Sequence, residues 1–313
     1  MNKTSVQSIF VALILCAVPR VANAAPFFVG PQSCQECHKA EFAVWENTVH
    51  AKSFRELHKA PKMKEILAAV GGDSNPRRNA LCVQCHYTLE QADASATPTA
   101  KSSVSCESCH GAASDWIKIH NDYGGTGVTR ETEPAAHKAE RIQKSVAAGM
   151  RRPDTIYDLA AHCLECHSLA RAGLDGATIT KLLEAGHPIN ADYELVKYSQ
   201  GTVRHRFYPP NVDVNAEMTP AELARMFVTG RAAMLVTATA AQNKSDNAAY
   251  KEAMKKQIQT ATEALNAVKS VPEAAALVAA PTEENARKLT AAIKDKDLTA
   301  EIKSLLPQPA DYK

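Results

Sequence analysis

The stretch Val104-Ser-Cys-Glu-Ser-Cys-His-Gly-Ala-Ala-Ser-Asp-Trp-Ile-Lys-Ile-His120 sets the reading of this chain. It opens with Cys106-x-x-Cys109-His110 and closes with a second histidine, His120, on what the sequence suggests is the same helical segment. Two thiols three residues apart can form thioethers to the two vinyl groups of one porphyrin. The histidine directly after the second thiol then lies beneath the iron as a ligand. The unit recurs as Cys34-x-x-Cys37-His38, Cys82-x-x-Cys85-His86 and Cys163-x-x-Cys166-His167. The expectation is four covalently bound haem c groups, ligated by His38, His86, His110 and His167.

Two other chemistries use paired cysteines. Four Cys-x-x-Cys pairs could hold two zinc ions with four thiolates each, or the thiols could form disulfides. Neither needs a histidine after every pair, and no cysteine outside the leader is left over. Thiols in an exported chain would also not stay reduced unless committed.

The first 24 residues read as a secretory signal. Lys3 supplies the charge, Ile9 to Val18 the apolar run, and Ala22-Asn23-Ala24 the small-x-small cleavage pattern. That run is too short to span a bilayer, and Cys16 within it lacks a lipoprotein context. Cleavage after Ala24, a periplasmic location and no direct membrane span follow as expectations. The leader holds Lys3 and Arg20 and no acid, so the remaining bases equal the 34 acids. Nucleic-acid binding wants a basic face and is not indicated.

Aromatic residues make up only 5% of the chain, too few to fill the interior in the usual way. Four porphyrins would supply the missing apolar bulk. The fold class expected is therefore mainly α with very little β, a haem-packed core and a C-terminal helical bundle or hairpin. The divisions are residues 1–24, 25–210 and 211–313.

The remaining histidines are candidates for the second axial position. Lys39 to Ala60 reads as one helix, and His50 on it lies too near His38 to grip the other face of the same haem. It is better placed to reach a neighbouring one. His187 and His205 lie in Gly- or Pro-marked turns, and Arg204 and Arg206 beside His205 suit haem propionates. His58, His137 and His162 read better as solvated or locally hydrogen-bonded side chains.

Other elements follow from local signals. Thr88 to Ser103 reads as a polar surface loop, and Asp154 as a cap for the helix carrying the fourth motif. Beyond Pro209-Pro210 there is no Cys or His. Thr219-Pro220-Ala221-Glu222 is a capping box opening a helix to about Gln242. Met254, Ile258, Ala261, Leu265 and Val268 form a packing seam at helical spacing, so Met254 is not expected to be a ligand.

The run from Ser33 to His120 resembles the tetrahaem cytochrome c-554 family of the hydroxylamine-oxidising pathway. The matching residues are Cys34 to His38 with Trp45 and Thr48-Val49-His50-Ala51-Lys52, then Cys82 to His86, Cys106 to Gly111, and His120. The resemblance implies that His50 binds the haem of Cys106 and Cys109, and that His120 binds that of Cys34 and Cys37. It also implies a five-coordinate second haem, at His86.

Two functions follow as expectations. The first is an electron carrier with four filled distal positions, working between donor and acceptor redox proteins such as a multihaem oxidoreductase and a quinone-linked cytochrome. The alternative is a haem enzyme reducing nitric oxide, hydroxylamine or nitrite at an open iron above His86.

Overall fold

A computed structural model describes residues 25–313, so the expected leader and its cleavage site lie outside the described residues. The described residues are mainly α-helical, with two short strands among them. No helix among the described residues is long and apolar enough to cross a membrane.

The expected Lys39–Ala60 helix is two helices with a turn between them. Lys39–Trp45 (α1) stops, and Val49–Glu56 (α2) restarts after the extended Thr48. The Thr48 hydroxyl caps the restart by accepting from the Ala51 N–H at 3.2 Å. Helical spacing of apolar residues could not reveal this break, because the pattern resumes on its far side. Its consequence is a new direction for His50.

The segment Thr88–Ser103 is a hairpin, and the expectation of a loop was too simple. Tyr87–Glu90 (β1) pairs antiparallel with Thr99–Ser103 (β2), with a bulge between Thr88 and Leu89. The buried Thr88 hydroxyl donates to the Ser103 carbonyl at 2.6 Å and lies 2.9 Å from both Ser105 Oγ and Ser108 Oγ. Polar side chains here face inward onto the third motif, which the alternation rule does not anticipate.

The third motif, Cys106–His110 (α3), and the Ile117–His120 turn are separate helices, not one segment. Gly111 divides them with φ +93°, and a Cβ at this position would collide with the Gly149 carbonyl oxygen. Only glycine meets both conditions.

The fourth motif ends the helix Ile156–His167 (α4). Asp154 does not cap it; its carboxylate pairs with Arg152 at 3.1 Å. The tail follows its sequence signals closely. The Thr219–Glu222 capping box opens Pro220–Ala241 (α5), and Asn247 caps Ala248–Ala267 (α6). Pro272–Ala279 (α7) and Glu283–Ala292 (α8) complete the bundle. Met254, Ala261, Leu265 and Val268 are buried, and Ile258 packs against them.

The apolar core is unevenly distributed. Before residue 150 its buried members are Met63, Ile66, Val83, Tyr87, Ala113 and Trp116; the rest run from Tyr157 to Ile302. One cluster joins Tyr157, Ala160 and Leu164 of α4 to Phe227, Val228 and Leu235 of α5 and Leu289 of α8. The composition changes at Pro209-Pro210, yet this core spans it. The fourth motif is thus built directly onto the helical tail.

Candidate functional site

Each of the four motif histidines faces one other histidine. The ring centroids are 6.3 Å apart for His38 and His120, 6.2 Å for His50 and His167, 6.1 Å for His86 and His187, and 6.2 Å for His110 and His205. Two imidazoles binding one metal ion from opposite sides stand about 6 Å apart, centroid to centroid. That is the sum of two metal–nitrogen bonds of about 2 Å and a ring radius at each end. Direct stacking would bring the rings closer, and chance proximity would not repeat one separation four times. The donor set fits an iron between each pair.

The backbone aims several of these rings. Nδ1 of His110 donates to the Arg151 carbonyl at 2.8 Å, and Nδ1 of His120 to that of Ile117 at 2.6 Å. Nδ1 of His187 donates to Pro188 O at 2.8 Å, and Nδ1 of His205 to Val203 O at 2.6 Å. A carbonyl can only accept, so the proton sits on Nδ1 and the Nε2 lone pair is left for a metal. Burial pushes His86, His110 and His167 down to about 4, keeping these rings neutral at physiological pH. Desolvation also lowers His50 and His187. His38 moves the other way, because Glu41 approaches its Nδ1 to 3.5 Å.

The other histidines are engaged elsewhere or exposed. His137 meets Glu133 at 2.7 Å, His162 faces Glu165 at 3.3 Å, and His58 is exposed. Arg204 and Arg206 bind Glu217 and Glu222 at 3.2 and 2.9 Å, tying the His205 loop to the start of α5.

The pairing differs from the resemblance at two points. His50 faces His167 of the fourth motif, not His110 of the third. The capped restart at Thr48 and the bond from Ser103 Oγ to Ala51 O at 3.1 Å hold α2 against β2, which turns His50 that way. His110 is met by His205. The second difference is His86, expected to face an open position: His187 stands opposite it. His120 does face His38, the partner that the resemblance implies.

The eight motif thiols are unpaired. Cys34 lies against Cys106, Cys85 against Cys166, and Cys109 within electrostatic reach of Cys163 and Cys166. The motifs therefore neighbour one another in the spatial order first, third, fourth, second. Burial pushes Cys109 up to about 12.

Sequence reasoning missed Glu107, one of the unspecified positions of the third motif. Its carboxylate is buried and accepts from the Val29, Gly30 and Ala113 N–H groups at 3.0, 2.7 and 2.8 Å. It thereby fastens the residue 27–30 lead-in to the motif, while Trp45 Nε1 donates to Val104 O at 3.0 Å from α1. No local signal marks a motif residue of this kind.

Four thiol pairs, each followed by a histidine that meets a second imidazole, define a c-type cytochrome, a protein with covalently bound haem c. The family model for cytochrome c554 and c-prime matches residues 33–111. Cytochrome c-554 of Nitrosomonas europaea is 31% identical over 114 residues, which cover 33% of this chain and 46% of that protein. Over residues 33–111 the chain is thus similar to the cytochrome c-554 family, and it spans about half the length of the curated relative that it matches. No solved structure matches the chain.

Proposed function

We propose that this protein is a periplasmic tetrahaem electron carrier in which all four irons are bis-histidine. The observation that carries the reading is the fourfold repeat of facing imidazoles at 6.1–6.3 Å. Cys34 and Cys37, Cys82 and Cys85, Cys106 and Cys109, and Cys163 and Cys166 would hold the haems. When bound, each haem supplies an iron that accepts or gives up one electron. The protein's own residues would hold both histidine rings of each pair, so little would need to move on redox change. The neutral, buried imidazoles of His86, His110 and His167 need lose no proton before binding metal.

The neighbouring motifs suggest an electron route in the order first, third, fourth, second, between a donor and an acceptor redox protein. The sparse core before residue 150 supports the view that haem fills this half of the interior. Export rests on the leader pattern of residues 1–24.

An enzyme reducing a small nitrogen species would need a vacant iron, and the facing of His86 by His187 favours the carrier instead. Intact mass and coulometry of the purified protein test the proposal. Four haems and four electrons per chain are expected; a smaller number of either would overturn the tetrahaem reading.

A further inference from the structure

His167 is unlike the other motif histidines in what lies on its ring face. Tyr193 stacks on it with centroids 4.9 Å apart and planes 26° apart. Tyr198 stacks in turn on Tyr193 at 5.1 Å and 11°, and itself lies 6.0 Å from His167. The two tyrosines flank the helix start at Leu195, where Glu194 caps by accepting from the Val196 and Lys197 N–H groups at 3.1 and 2.8 Å.

Both tyrosines are fixed in place. Tyr193 is 4% exposed, and its hydroxyl lies beside Cys163, an attachment residue of the same motif. The Tyr198 hydroxyl accepts from Asn190 Nδ2 at 2.9 Å. Gln257 Nε2 of α6 donates to Asn190 O at 3.0 Å, while Gln257 Oε1 accepts from Ser168 Oγ directly after His167. The ladder is thereby braced by the helical tail, outside the family-matched segment.

We infer that Tyr193, with Tyr198 packed beside both rings, is a positioning residue that sets the orientation of the His167 imidazole on the fourth haem. An imidazole bound through Nε2 can still rotate about its bond to iron. The rotation is stopped by a buried aromatic ring against its face, and axial ligands are oriented by such outer contacts. The His50 and His167 planes are 52° apart, an angle the ladder maintains. The inference rests on the proposal that these two histidines share an iron.

The test is electron paramagnetic resonance of the oxidised holoprotein, whose low-spin g-values report the angle between axial ring planes. Tyr193→Phe keeps the stacked ring and should leave all four signals in place. Tyr193→Leu should shift the largest g-value of one signal and leave three unchanged. Should Tyr193→Leu fail to mature, Tyr198→Leu removes the ring packed beside both Tyr193 and His167 from a partly exposed position and should shift that same signal. An unchanged spectrum in whichever leucine variant matures overturns the inference. A wild-type protein without four low-spin signals would instead overturn the ligand assignment beneath it.

Discussion

The rings of His86 and His187 face each other with centroids 6.1 Å apart and planes 62° apart, although almost a third of the chain separates them in sequence. His187 is held by the Pro188 carbonyl, which accepts from Nδ1 and leaves the Nε2 lone pair available. This relation separates a carrier from an enzyme, because catalysis on a small molecule at iron needs an open position.

Replacing His187 by Ala should therefore create an open iron at His86. One haem in four is expected to become high-spin and to take up cyanide or nitric oxide, seen by visible absorption. A variant as inert as the wild type would show that His187 is no ligand.

The partner of His50 can be assigned by subtraction. His50→Ala should generate one high-spin haem in the wild-type background. In a Cys163→Ala, Cys166→Ala background, where the fourth haem cannot attach, the same change should generate none. A new high-spin signal in that background would return His50 to the haem of Cys106 and Cys109.

Glu107→Gln should lower stability by about 2 kcal/mol, because two buried oxygens accept from three backbone N–H groups and an amide NH2 in place of one oxygen cannot accept. A melting temperature lower by several degrees, with four haems still attached, is the expected result. An unchanged melting curve would count against the role given to this carboxylate.

Glu133 gives a pH signature near the first site. The Arg141 guanidinium, bonded through Nε and Nη2 at 2.8 and 2.6 Å, holds its carboxyl down at about 2, with His137 adding to the effect. Arg141 also donates to the His120 carbonyl. A depressed carboxyl contributes stability above its ordinary value of 4.5, and that stability is lost as pH falls through about 2. Glu133→Gln should thus melt lower than wild type at pH 7, with the gap closing between pH 4.5 and 2. A pH-independent gap would mean that the ion pair is not its source.

What the sequence made legible divides by range. The eight attachment cysteines and His38, His86, His110 and His167 are set by adjacency along the chain, so the motif alone nominates them. His187 and His205 are nominated by local context, and His50 and His120 by the resemblance as well, but partner choice is a tertiary relation. It turns on one hydroxyl at Thr48 that ends a helix and restarts another, and on the Arg206–Glu222 pair that anchors the His205 loop. The helical tail is legible because capping boxes and seams are local. The β1–β2 hairpin and Glu107 were missed for one reason: both bury polar groups against the third motif, and burial of polar groups has no period.

The most direct measurement is electron paramagnetic resonance of the oxidised, purified holoprotein, with spin quantitation before and after excess cyanide. Four low-spin ferric haems per chain, unchanged by cyanide, are predicted by four histidine pairs at one common separation. A high-spin component that cyanide converts would contradict the account and place the chemistry at an open iron.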